Sequence, residues 1–312
     1  MRLPLIGVGC AALSIVSPQT GDEDAVELLV HAHARGVRYF DVAPLYGGGR
    51  GEVLLGRALA RMPAPVIVST KVGYAGAIPY GGRQAPEERR KDFSQAAIET
   101  SLAHSLRRLN RDSVDIAFLH DPDGDWGLIA KEAVRALLQL REQGLIRCIG
   151  VGTTKPEVAH AVLDRLPVEV LLLAGRWTLL DRSGEAVIER CRNRGIQLVA
   201  GGIFNSGLLA VDQPSQGGPF DYAPAPAEKL ARAAALQALC AAAGVSLKAA
   251  AAQFPRRHPG VTTTLLGPRT RQEIDELFDL LDLPIPPSLW PGLNPPGTPA
   301  GAGATSSGAN VR

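Results

Sequence analysis

Four side chains able to move or steer a proton stand at or just beyond the ends of apolar runs in this sequence. Asp41 closes VRYFD, Tyr46 follows five residues later, Lys71 closes VIVSTK and His120 closes VDIAFLH. A free phenol has a pKa near ~10, too high for a base at neutral pH. A neighbouring ammonium favours the phenolate and lowers that value. Asp41 would hold Lys71 charged and aimed, Tyr46 could then exchange a proton with a carbonyl or hydroxyl oxygen in either direction, and His120 could orient that oxygen. None of the four accepts a hydride, so a redox role requires a bound cofactor. Each residue alone has a plain structural reading: a packed Tyr, a loop-capping Asp, a rim Lys, a satisfied His. Their joint placement at three successive strand ends points to one shared site.

The elements that would position them alternate. Strand-like runs lie at Leu5–Gly9, Val37–Asp41, Val66–Thr70, Val114–Leu119, Ile146–Val151, Val168–Leu173, Ile196–Ala200 and Thr262–Leu266. Helical patterns follow at Asp22–Arg35, Gly51–Arg61, Ser94–Leu109, Ile129–Gln143, Lys155–Leu166, Glu185–Arg194, Ala227–Ala243 and Arg271–Leu281, with a short extra helix at Ser246–Phe254. Gly36, Gly144, Gly195 and Gly244 sit where left-handed C-caps are wanted. Eight strands each followed by helix predict a parallel (β/α)8 barrel, an α/β fold of the TIM type, whose chemistry sits at the C-terminal ends of the strands. A doubly wound sheet is the alternative, but no G-x-G-x-x-G joins the first strand to the first helix.

Composition narrows the function classes. With 33 Lys and Arg against 31 Asp and Glu the formal charge is +2, and no basic block suggests a nucleic-acid partner. No uninterrupted apolar run reaches the roughly 18 residues of a membrane span. The apolar N-terminal stretch reads as a strand in preference to a signal peptide. Cys10, Cys148, Cys191 and Cys240 are widely separated and form no metal spacing, which points to a reduced, cytoplasmic setting and no metal. Residues 1–290 are expected to form one barrel, and Pro291–Arg312, poor in large apolar residues, a disordered tail. Tyr74–Asp92 is a long polar connection at the barrel's binding face.

The segments FDVAPLYG, GEVLLGRAL, STKVG, DIAFLHDPD and RCIGVG together resemble the aldo-keto reductases, over roughly Leu5 to Leu281. That resemblance implies a nicotinamide-dependent (β/α)8 oxidoreductase with an Asp-Tyr-Lys-His tetrad. Tyr46 is then the acid/base, Asp41 and Lys71 tune it, and His120 orients the substrate. It further implies that AGRWTLLDR places Trp177 against the nicotinamide. GGIFNSGLLA, with Phe204, Ser206, Gly207 and Leu208, would wrap the pyrophosphate. Gly267, Arg269 and Glu273 of LLGPRTRQEIDEL would hold the adenosine end. The chain departs from many relatives in carrying Gly152-Thr153-Thr154 after the fifth strand and Ala174 at the end of the sixth, so either the nicotinamide is held differently or the carboxamide contact comes from Thr153 or Thr154. The usual N-terminal hairpin looks truncated.

HDPD, GRWTLLDR and GGIFNSGLLA are most similar to the sugar dehydrogenases of the family, of the D-threo-aldose 1-dehydrogenase (L-fucose dehydrogenase) and L-galactose dehydrogenase type. The implied reaction oxidises C1 of an aldose to a lactone with NAD in preference to NADP, and Asp123 and Trp126 are candidate substrate contacts. Arg269 and Arg271 argue for NADP, since either could pair with a 2′-phosphate. The alternatives are a pyridoxal 4-dehydrogenase or a general aldehyde/ketone reductase. A non-catalytic cofactor-binding subunit fits less well, because the tetrad is intact.

Overall fold

The computed structural model describes residues 1–15, 21–63, 65–74, 90–211, 213–214, 217–221 and 223–294. Eight parallel strands close into a barrel in the order β1 (Ile6–Gly9), β10 (Val261–Leu266), β7 (Gln197–Gly201), β6 (Val170–Ala174), β5 (Ile146–Thr153), β4 (Val114–His120), β3 (Ile67–Val72) and β2 (Tyr39–Asp41). Two further strands, β8 (Pro219–Phe220) and β9 (Ala223–Pro224), pair as a small antiparallel hairpin outside it. The helices are α1 (Ala11–Ile15), α2 (Asp22–Ala34), α3 (Arg50–Leu59), α4 (Gln95–Leu109), α5 (Trp126–Leu128), α6 (Val134–Glu142), α7 (Pro156–Arg165), α8 (Glu185–Asn193), α9 (Ala227–Ala242), α10 (Leu247–Gln253), α11 (Arg271–Asp282) and α12 (Leu289–Leu293).

Strand alternation divides the core in two. Tyr39, Ile116, Phe118, Cys148, Val170, Leu172, Val199 and Leu265 pack together as the barrel interior, and residues of opposite parity such as Phe40, Val68, Ala117 and Leu171 belong to the core under the helices. Phe118 fills its layer only because β5 carries glycine opposite it: a Cβ on Gly150 would lie 2.4 Å from the Phe118 ring. Among the described residues no strand precedes β1. Leu3, 4% exposed, joins the interior cluster. The Gln197 side chain anchors this segment, accepting from Leu3 N at 2.8 Å and donating to the Met1 carbonyl at 3.1 Å.

The four expected glycine C-caps all have positive φ: Gly36 at 99°, Gly144 at 75°, Gly195 at 67° and Gly244 at 68°. The helix expected from Ile129 begins at Trp126 and passes through a π turn at Ile129–Ala133 before α6. Asp125 starts it early, its carboxylate accepting from Gly127 N and Leu128 N. The tail boundary needs a correction. Pro291–Leu293 belong to α12, because Trp290 and Leu293 are buried against the barrel's helices and Arg232 donates to the carbonyls of Leu293 and Asn294. The rest of the expected tail, residues 295–312, lies outside the described residues, as do residues 75–89 of the long connection. No single helix among the described residues is long and apolar enough to cross a membrane.

Candidate active site

The barrel's strand register assembles the proton-handling group. Asp41 of β2 lies beside Ser69 of β3, and Lys71 beside Phe118 of β4. By parity with Tyr39 and Phe118, Asp41, Ser69 and Lys71 all face inward. Lys71 Nζ donates to Asp41 Oδ2 at 2.7 Å and to the Val42 carbonyl at 3.0 Å, with the two side chains 2% and 4% exposed. Ser69 Oγ donates to Asp41 Oδ1 at 2.7 Å, which leaves the Tyr39 hydroxyl, 3.0 Å away, to donate to Ser69. Both carboxylate oxygens are therefore committed and the ion pair is fixed. Lys71 Nζ also lies 4.8 Å from the centre of the Tyr46 ring. Burial pulls the Lys71 pKa down, but the charge of Asp41 and the charge and hydrogen bonds of Asp41 and Tyr46 outweigh it and hold the ammonium above its ordinary value. A cation is thus kept beside the phenol at neutral pH.

His120 completes the cluster from the end of β4. Its ring stands edge-on to Tyr46 at 6.4 Å and to Tyr74 at 5.4 Å. Burial first, then the positive charges of Lys71 and Lys91, push its pKa from 6.5 down to about 3. The imidazole is neutral at physiological pH and can donate one N–H to a substrate oxygen. Tyr74 is a neighbour that the sequence patterns did not single out. It follows Gly73, whose φ of 113° turns the chain out of β3, and pairs with Lys91 in a short antiparallel bridge.

Asp123 is not placed as a free substrate contact. Lys91 and Lys155 both pair with it, the latter at 2.9 Å, and Lys91 also donates to the Asp121 carbonyl at 2.8 Å. Its acceptors tie together the connections after β3, β4 and β5. Trp126 packs partly against the core, with the Arg165 guanidinium 5.6 Å from its ring centre. A second buried pair supports the site from outside. Glu52 of α3, fully buried, accepts from Thr70 Oγ at 2.6 Å and from Arg108 of α4 at 2.7 Å. This fixes the helix after the Tyr46 loop to the strand carrying Lys71.

Across the mouth, β5, β6 and β7 end in small residues: Gly152-Thr153, Ala174-Gly175 and Gly201-Gly202. Thr153 is buried and its Oγ accepts from Lys155 N at 3.1 Å. Trp177 is not a rim aromatic. It lies 6% exposed between Phe254 and His258, its indole nitrogen donating to the Pro255 carbonyl, because the chain leaves strand alternation at Gly175. Leu208 is likewise part of the buried core, and Phe204 packs against it. Asn205, Ser206 and Gly207 between them form a tight turn with φ of 46°, 60° and 110°. After β10, a Cβ on Gly267 would meet the Ala12 methyl at 3.9 Å, an ordinary contact, and Arg269 pairs with Glu273 at 2.8 Å, while Thr270 caps α11. The cofactor that the fold implies fits this half of the mouth: small residues leave room, a capped helix N-terminus suits an anion, and the buried Asn205 Oδ1 has no donor among the described residues.

The model of the aldo/keto reductase family matches residues 5–293. This chain belongs to that family. It is a nicotinamide-dependent oxidoreductase. The chain is 33% identical to pyridoxal 4-dehydrogenase of Microbacterium luteolum, covering 95% of both chains. It is 31% identical to D-threo-aldose 1-dehydrogenase of a Pseudomonas species, covering 93% of each, and 27% identical to L-galactose dehydrogenase of Arabidopsis thaliana, covering 88% and 83%. In fold it matches an aldo-keto reductase of Bacillus halodurans solved in its holo form, with a TM-score of 0.78 at 24% identity over 92% of this chain and 90% of that one.

Proposed function

We propose that the protein oxidises the C1 hydroxyl of a cyclic aldose, such as L-fucose, L-galactose or D-arabinose, to the lactone, with NAD. The observation that carries this is the buried Lys71–Asp41 pair beneath Tyr46, beside a neutral His120. Lys71 stabilises the phenolate of Tyr46, which takes the proton from the substrate hydroxyl as the C–H bond breaks and the C=O bond forms. The N–H of His120 holds the same oxygen. When bound, the oxidised nicotinamide supplies the acceptor for the hydride. Asp41 carries no proton in the cycle; its two engaged oxygens keep Lys71 charged and in place.

Two relatives of similar identity, 33% and 31%, are named for pyridoxal and for aldoses. The two substrates share a chemistry, because each can close to a cyclic hemiacetal whose hydroxyl-bearing carbon is oxidised to a lactone. Pyridoxal is therefore the second reading, and the same four residues serve it. NAD is favoured because Glu273 occupies the Arg269 guanidinium and adds a carboxylate where a 2′-phosphate would need a cation.

The test is a panel of these aldoses and pyridoxal with NAD and NADP, following nicotinamide absorbance and identifying the product by chromatography. Lactone from an aldose with NAD is the expected result. Turnover of pyridoxal with none of the aldoses would replace the substrate and leave the mechanism intact. Activity on neither hemiacetal would reject the reading.

A further inference from the structure

The loop after β7 folds back over the end of β6. Gly175 N donates to the Gly201 carbonyl at 2.9 Å, and a Cβ on Gly202 would lie 3.0 Å from Gly175 N. This close approach brings in Asn205, whose own N donates to the Gly202 carbonyl at 3.0 Å. Asn205 is 1% exposed and its Nδ2 donates to the Gly175 carbonyl at 3.5 Å. The opposite amide orientation would set two oxygens against each other, so the oxygen is the atom left over. It finds no donor among the described residues.

Two features of this turn run against stability. A buried acceptor without a donor has lost its water and gained no partner in return. The next residue, Ser206, holds a φ of 60°, a region that serine seldom occupies and that asparagine, at 46° here, tolerates better. Strain and an orphaned polar atom in one buried turn, at the rim of a cofactor site, suit a contact that a ligand completes. The neighbouring strand ends offer few acceptors. Of Gly152, Thr153, Thr154, Ala174, Gly175, Gly201 and Gly202, only the two threonines have polar side chains; the Thr153 oxygen already accepts from Lys155 N, and Thr154 is exposed to solvent. Nicotinamide is a planar ring with a carboxamide, and the N–H2 of that group needs an acceptor once it leaves water.

We propose that Asn205 is a cofactor-binding residue whose side-chain oxygen accepts a hydrogen bond from the carboxamide N–H2 of the nicotinamide. The inference rests on the nicotinamide dependence above. It adds to the proposed proton transfer a residue that fixes the ring at the β6–β7 side of the mouth.

The experiment measures binding, by calorimetry, of NAD, of acetylpyridine adenine dinucleotide and of ADP-ribose. In the second a methyl group replaces the N–H2; the third lacks the nicotinamide. Wild type and Asn205→Gly are compared, because glycine removes the amide while accepting the positive φ. Wild type should bind NAD about 3- to 10-fold more tightly than the acetylpyridine analogue. Asn205→Gly should reduce that preference to within about two-fold and leave ADP-ribose affinity unchanged, since one neutral hydrogen bond is all that is removed. Equal losses for all three ligands would overturn the proposal, assigning Asn205 to the loop or to the ribose and phosphates. So would a wild type that does not distinguish NAD from the analogue, a result that needs no variant. Failure of wild type to bind either NAD or NADP would reject the cofactor reading itself.

Discussion

The two halves of the barrel mouth are built on opposite principles. On the β2–β4 side charged groups satisfy one another: both oxygens of Asp41 are bonded, Lys71 is paired, and Ser69 and Tyr39 extend the chain of hydrogen bonds. On the β5–β7 side side chains are scarce, the backbone turns sharply at Gly202 and at Asn205–Gly207, and a buried amide oxygen finds no donor among the described residues. The first half is preorganised before any ligand arrives, as electrostatic control of a proton requires. The second half is shaped to be completed by one. Proton transfer and cofactor binding should therefore respond separately to substitution.

The largest effect is expected from splitting the buried ion pair. Lys71→Met leaves Asp41 charged and buried without its partner, and breaking such a pair costs about 3–5 kcal/mol. Urea denaturation should show that loss together with near-complete loss of turnover. A variant of unchanged stability would mean that the β2–β4 side is not held by this pair.

A smaller effect follows from His120. Its pKa is depressed from 6.5 to about 3 in the folded chain, by burial and then by Lys71 and Lys91. Below pH 6.5 the unfolded state takes a proton that the folded state refuses, so stability from this group is present above 6.5 and lost as pH falls toward 3. The slope contributed is at most about 1.4 kcal/mol per pH unit. His120→Gln should remove that slope, measured as the difference between the two proteins' pH–stability curves. A wild-type curve parallel to that of the variant between those limits would show that His120 titrates normally.

The smallest effect belongs to the adenosine end. Glu273→Gln frees Arg269, two-thirds exposed, and should raise kcat/KM for NADP by about two- to five-fold, the range of an exposed ion pair. An unchanged NAD-to-NADP ratio would place the selection elsewhere.

The difference between the halves also decides what the sequence could reveal. Asp41, Lys71 and His120 were legible because a charged residue ending an apolar run marks a strand's mouth, and parallel strands bring successive mouths together. Strand parity does not reach past a strand's end. Trp177 follows Gly175, where φ is 72°, and the turn carries the ring behind the barrel, against Phe254. The pairing of Asp123 is hidden for another reason: its two lysines are each 32 residues away, and nothing local announces them. Asn205 stood in plain sight within GGIFNSGLLA, but its importance comes from its backbone conformation and its missing donor, which no residue type encodes. Pro291 opened a stretch that looked like a tail because three apolar contacts of a short helix are too few to raise a periodic signal.

The central claim is that Tyr46 carries the proton and takes no part in holding the cofactor. NAD affinity and the rate of hydride transfer, measured on one preparation of Tyr46→Phe, address it directly. The account predicts a dissociation constant within about two-fold of wild type and transfer slowed by about 10²–10⁴-fold. Transfer at the wild-type rate, or loss of NAD binding in step with loss of turnover, would contradict it.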